Sequence, residues 1–273
     1  MRNGSLLCAL AALTLLAASP AAGQSLPGYV PSQLACARFH ETVRSDLTLQ
    51  TAGRTATANS GRDSYMVVAT AAASEPPRML LVAWFDSLRV WRSVGSRRQE
   101  PDASGVLGGR YRATLLPDGS LSVQVSPFVP DAVREVTDLS GALDDMLPRL
   151  PPRVLQAGEE WRSGDTLAIK RLSDSVGLQR FQVQRKLQGA VPPPPGDTLT
   201  PTYDRSLNDR GVVAWDAARG PIRYDHDVTV EASVPVGGAI KNPARSLVEQ
   251  RILLERAADP PPDTCPASIF AEP

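Results

Sequence analysis

Few residues in this chain combine a reactive type with a useful spacing. There are two histidines. His226 stands between Asp225 and Asp227, three metal-ligating side chains in a row. A zinc site needs three or four donors converging on one point. Adjacent strand residues point to opposite faces, so this triplet reads as a solvated polar stretch at a hairpin edge. His40 lies in an alternating segment and has no triad partner nearby. Asp144-Asp145 and Glu159-Glu160 raise acid–base hydrolysis. Glycoside cleavage needs two carboxyls facing each other across roughly 5–9 Å. Asp144-Asp145 falls on the polar side of a predicted helix and Glu159-Glu160 in a turn before Trp161, so both read as surface charge. The chain contains neither a Gly-x-Ser-x-Gly elbow nor a Gly-rich loop leading to Lys-Ser or Lys-Thr. These residues predict no catalytic group, no metal ligand and no cofactor.

Thiol chemistry is more informative. Cys8 lies inside the apolar run Leu6 to Ala18, which follows Arg2, breaks at Ser19-Pro20 and leads to Ala21-Ala22-Gly23. That is the pattern of a signal peptide over 1–23, with cleavage before Gln24. A bilayer span needs about 20 apolar residues, more than this run offers. A lipidated cysteine would follow the run, so Cys8 reads as a small hydrophobe within it. Cleavage leaves Cys36 and Cys265 in an oxidising compartment, and they are expected to pair. The expected location is extracytoplasmic, periplasmic or secreted, in soluble form.

Four tryptophans, Trp84, Trp91, Trp161 and Trp215, either fill a core or line an apolar groove. Lys plus Arg and Asp plus Glu each number 29, which excludes a field that gathers nucleic acid or an anionic membrane. Arg97-Arg98 is followed by Glu100 and Asp102 and lacks the interleaved aromatics of a single-strand platform.

The elements that must position these groups are mostly strands. Phe39 to Leu49 and Tyr65 to Thr70 read as extended. Met79 to Val94 fits a helix by its steps of three and four and a strand by its neighbours, which favour the strand. Tyr111 to Val125 is a hairpin reversing at Pro117-Asp118-Gly119-Ser120. Asp131 to Leu147 predicts one helix, stopped by Pro148, Pro151 and Pro152. Strands resume through Ile169, Phe181, Val213 and Val228, interrupted at Pro192 to Pro195, and end with Ser246 to Glu255. The expected fold is mainly β, with two related antiparallel units shaped as half-barrel-like curved sheets joined by one helix. The divisions are a flexible lead-in over 24–35, an N-terminal β unit over 36–130, a helix and Pro-rich connector over 131–157, a C-terminal β unit over 158–257 and a Pro-rich tail over 258–273.

Several motifs fall in a familiar order: Phe85-Asp86-Ser87-Leu88, Gly108-Gly109-Arg110-Tyr111, Asp118-Gly119, Leu147 to Pro152, Gly158-Glu159-Glu160-Trp161, and Gly211 to Asp216 with Gly220. In this order the chain resembles a family of uncharacterised bacterial extracytoplasmic β-rich proteins, with Glu159 where the family often has Asp. The resemblance implies the fold class and no activity. By fold-level analogy it points to the open half-barrels of periplasmic lipoprotein carriers. The expected function is non-catalytic binding or carriage of an apolar, lipid-like ligand in a curved β-sheet groove of the cell envelope. A structural or assembly module binding an envelope protein, and a hydrolase of unrecognised type, stay open beside it.

Overall fold

The structure is a computed structural model that describes residues 26–51, 53–192, 202–234 and 244–271. The expected signal segment with Cys8, and Pro193 to Pro195 of the proline run, lie outside the described residues.

Twelve strands form one curved, open, antiparallel sheet. They are β1 (Ala37–Thr51), β2 (Arg54–Ala72), β3 (Met79–Val94), β4 (Arg97–Gln99), β5 (Arg110–Leu115), β6 (Leu121–Val125), β7 (Glu160–Ser163), β8 (Leu167–Ser175), β9 (Leu178–Val191), β10 (Tyr203–Asp216), β11 (Gly220–Val234) and β12 (Ala244–Arg256). The order across the sheet is β6-β5-β3-β2-β1-β12-β11-β10-β9-β8-β7, with β4 paired to the end of β3. The mainly β expectation therefore holds, and Met79–Val94 is a strand. The N-terminal and C-terminal strands are joined edge to edge, because β1 pairs with β12 over twelve residues from Phe39↔Arg256 to Gln50↔Arg245.

Between β6 and β7 the chain passes from one edge of the sheet to the other. Val133, Leu139, Ala142, Leu143, Met146, Leu147 and Leu150 of this connector are buried in one core with Phe39, Met66, Phe85, Tyr111, Phe181, Val213 and Leu254. These strand residues alternate along their strands, so they mark a single face, here called inner.

The expected single helix is two short ones, α1 (Asp131–Arg134) and α2 (Ala142–Met146). The break has a physical cause. The Asp138 carbonyl accepts from Arg62, and the Leu139 carbonyl accepts from the Tyr111 hydroxyl at 2.7 Å. The Asp138 carboxylate meanwhile accepts from the Ser140 amide. Groups that a helical ladder would use are thus turned to other partners.

On the outer face, Ile269 and Phe270 of the tail cover Ala69, Val82 and Trp84. The Cys36–Cys265 disulfide, with 5.8 Å between Cα atoms, holds the tail there. It closes a separation of 229 residues. Loop entropy alone would then supply about 5 kcal/mol, a ceiling in practice. We expect Cys36→Ser/Cys265→Ser, or reduction of the native protein, to lower the unfolding free energy by about 2–4 kcal/mol in urea titration.

Candidate functional site

Glu41 shares the inner face with its strand neighbours Phe39 and Val43, and Arg62 lies on the same face of β2 through the Val43↔Arg62 register. The Arg62 guanidinium donates through Nε and Nη2 to the two Glu41 carboxylate oxygens, both at 2.7 Å. Its Nη1 donates to Thr137 Oγ1 at 3.2 Å and to the Asp138 carbonyl at 3.3 Å. Ser64 Oγ also donates to Glu41. Both charged side chains are buried, so this fork fastens the connector to the sheet inside the protein. Asp145 approaches Arg62 at 4.0 Å. It was expected on a polar helix surface. Instead it turns toward the sheet, and burial pushes its carboxyl up to about 6, a rise that Arg62 opposes.

His226 also departs from expectation. Its side chain is 0% exposed, because β11 lies inside the sheet between β10 and β12. Asp225 and Asp227 point to the other face, as alternation requires. The partner of His226 is Asp209, whose Oδ1 lies 2.8 Å from Nδ1, and Arg185 holds the other Asp209 oxygen at 3.3 Å. The Tyr224 ring stacks on the imidazole at 4.0 Å between centroids. Opposite His226 the strand carries Gly211, where an added Cβ would fall 2.2 Å from His226 Cβ and 2.8 Å from the Asp225 carbonyl. Only glycine permits this approach.

Beyond these polar groups the inner face is aliphatic and open. Register places Leu47, Val248, Val230, Leu207 and Leu187 side by side on β1, β12, β11, β10 and β9. Val43, Val228 and Ile252 are buried beside them. The first four of the row are half-buried and Leu187 is 49% exposed. Where the row meets the connector, a cavity of about 190 Å³ opens between Val43, Ser45, Leu47, Ser60, Val248 and Gln250 of the sheet and Val136 to Asp138. A larger hollow of about 550 Å³ at the far strand ends is lined by Gln50, Asp204, Glu231 and Arg245 among others, with Leu247 its one leucine among the described residues.

The four tryptophans do not meet in one groove. Trp215 is buried against Tyr29, ring centroids 4.9 Å apart. Trp161 is half-buried and packs against the edge of the same core. Trp84 lies on the outer face beneath the tail, and Trp91 lies on that face over Gly61, with Arg98 at 4.6 Å from its centroid. Three-dimensional neighbours thus supply the aromatic that Arg97-Arg98 lacks in sequence. Glu159 pairs with Arg153 and Glu160 with Arg162 at the surface, and His40 pairs with Asp63.

No family model and no curated protein matches the chain. Among solved structures it is similar to one described as lipid–protein interactions in lipovitellin, at 9% identity and TM-score 0.44, covering 82% of this chain and 26% of that one. The chain thus spans about a quarter of the lipovitellin chain. It is also similar to a DUF1329 family protein from Desulfovibrio piger, at 10% identity and TM-score 0.19, covering 87% of this chain and 92% of that one. No helix among the described residues is long and apolar enough to cross a membrane.

Removing one partner of a buried ion pair strands the other. Arg62→Ala should cost about 3–5 kcal/mol of stability in denaturant titration, and Arg62→Met/Glu41→Leu much less. Asp145 gives a separate signature. Its folded pKa of about 6 lies above the ordinary aspartate value of about 3.9, so the native state holds its proton more tightly. Stability should therefore fall as pH rises from about 4 to about 6, by at most about 3 kcal/mol. In Asp145→Asn that slope should disappear from unfolding curves measured across the window.

Proposed function

We propose that the protein is a non-catalytic exported binding or carrier module for an apolar, lipid-like chain laid on the open part of the inner face. The observation that carries this reading is the row of five aliphatic side chains brought into register by five strands, four of them partly exposed and Leu187 exposed. Four strand spacings of roughly 4.8 Å give the row a length of about 19 Å, the reach of a palmitoyl chain. Each methylene withdrawn from water there contributes about 0.8 kcal/mol, so partial coverage suffices for useful affinity. The export pattern and the Cys36–Cys265 bond support an extracytoplasmic setting.

A second reading has its own observation. Val123, Val125 and Phe128 are exposed at and beside the β6 edge, where a partner strand could add. An irregularity in the β5–β6 register shortens the flat part of that edge, and the inner-face row is longer.

Native mass spectrometry of protein purified from its own envelope should find a retained apolar molecule. Leu207→Lys should weaken its retention at least tenfold, more than the modest fall in unfolding midpoint expected for a partly exposed side chain at the edge of the Val43, Val228 and Ile252 cluster. Retention equal to that of the unsubstituted protein would place the ligand elsewhere.

A further inference from the structure

The aliphatic row ends at the cavity beneath the connector, since Leu47 and Val248 belong to both. The polar groups there differ in kind from the row. Ser45, Ser60, Thr137 and Gln250 supply hydroxyls and an amide, and Gln250 Nε2 donates to Ser45 Oγ at 3.4 Å. The cation at this end is Arg62, and its Nε, Nη1 and Nη2 are engaged by Glu41, Thr137 and Asp138. Two carboxylates, Glu41 and Asp145, stand beside that one guanidinium, and Asp138 lines the same cavity. An anionic head would meet like charge and find no free fork to hold it. A cationic head fares little better. Glu41 is bound to Arg62, Asp138 accepts from Ser140, and Asp145 faces Arg62. The hydroxyls and the amide are left to read the ligand. About 190 Å³ is a few water volumes, room for a head of glycerol size.

We propose that this groove takes a single-chain amphiphile with a small uncharged, hydroxyl-bearing head. The head sits under the connector beside Ser45, Ser60 and Gln250, and the tail runs across β12, β11 and β10 toward Leu187. The proposal rests on the apolar-chain reading above and adds the class and polarity of the ligand. A few placed polar groups at one end of an apolar floor are how such sites fix orientation.

The test uses the purified, delipidated protein at pH 8 with four probes sharing one saturated chain: monopalmitoylglycerol, palmitate, palmitoyl lysophosphatidate and hexadecylamine. They are offered together at equal concentration, and bound species are read by native mass spectrometry. Monopalmitoylglycerol should be retained at least tenfold over each charged probe. Ser45→Val/Gln250→Leu should reduce that preference at least fivefold while tail binding persists, and Ser60→Val should shift it in the same direction. Leu207→Lys should lose all four. Equal or better retention of any charged probe would overturn the head assignment and leave the carrier reading standing. Retention of none of the four would overturn both.

Discussion

With the short β4 set aside, neighbours in this sheet follow one another in sequence except where β1 meets β12 at its centre, and consecutive strands are adjacent except where the chain crosses from β6 to β7. The first exception creates the second. With the first and last strands paired in the middle, the chain runs outward to one edge and must re-enter at the opposite edge. The crossing segment cannot avoid the sheet, and its leucines and methionine bury the inner face from Phe39 to Phe181. The connector is therefore the second layer that a one-sheet protein needs for a core. Where it crosses decides which part of the inner face is core and which part stays open.

The boundary between these parts is ionic. Glu41–Arg62 at one side and His226–Asp209–Arg185 at the other lie between the covered core and the aliphatic row. Buried pairs of this kind add little net stability over apolar residues of the same volume. They do specify position, because Arg62 donates its hydrogen bonds to Glu41 on the sheet and to Thr137 and Asp138 on the connector. A connector shifted along the sheet would leave a buried guanidinium partly unpaired. The same contacts break the expected helix, so the irregularity of residues 135–141 and the placement of the groove share one cause.

Local pattern made the strands legible, together with the reversals at Asp118-Gly119 and before Gly220, and the pairing of Cys36 with Cys265. Turn chemistry and alternation act over a few residues. The polar network was harder. Arg62 stands between Gly61 and Asp63 and reads locally as an exposed strand residue, and its partner Thr137 lies 75 residues away. Asp145 follows Asp144 on what reads as the polar side of a helix, with nothing local to mark that it faces a guanidinium. Two signals did exist. Phe39, Glu41 and Val43 alternate, which puts Glu41 on an apolar face, and Gly211 before Val212-Val213 marks a close backbone approach where His226 now packs. The aliphatic row is not legible in the sequence because register, not spacing, assembles it. Each of its five members is an ordinary strand residue. The tryptophans are the largest apolar groups in the sequence, yet the sheet distributes them over both faces.

The central β1–β12 seam also sets the order in which the molecule can form. Its partners are among the most distant in the chain, and a pairing of such high contact order forms late and slowly. A chain synthesised or translocated from its N-terminus presents β1 long before β12 exists. In that interval a strand of 15 residues has β2 on one side and a bare edge on the other. Bare edges of that length recruit other chains. Folding here is thus a race between completing the last strand and capture of the first. A holding factor on the nascent chain would act on β1, the strand that ends at the centre of the finished sheet.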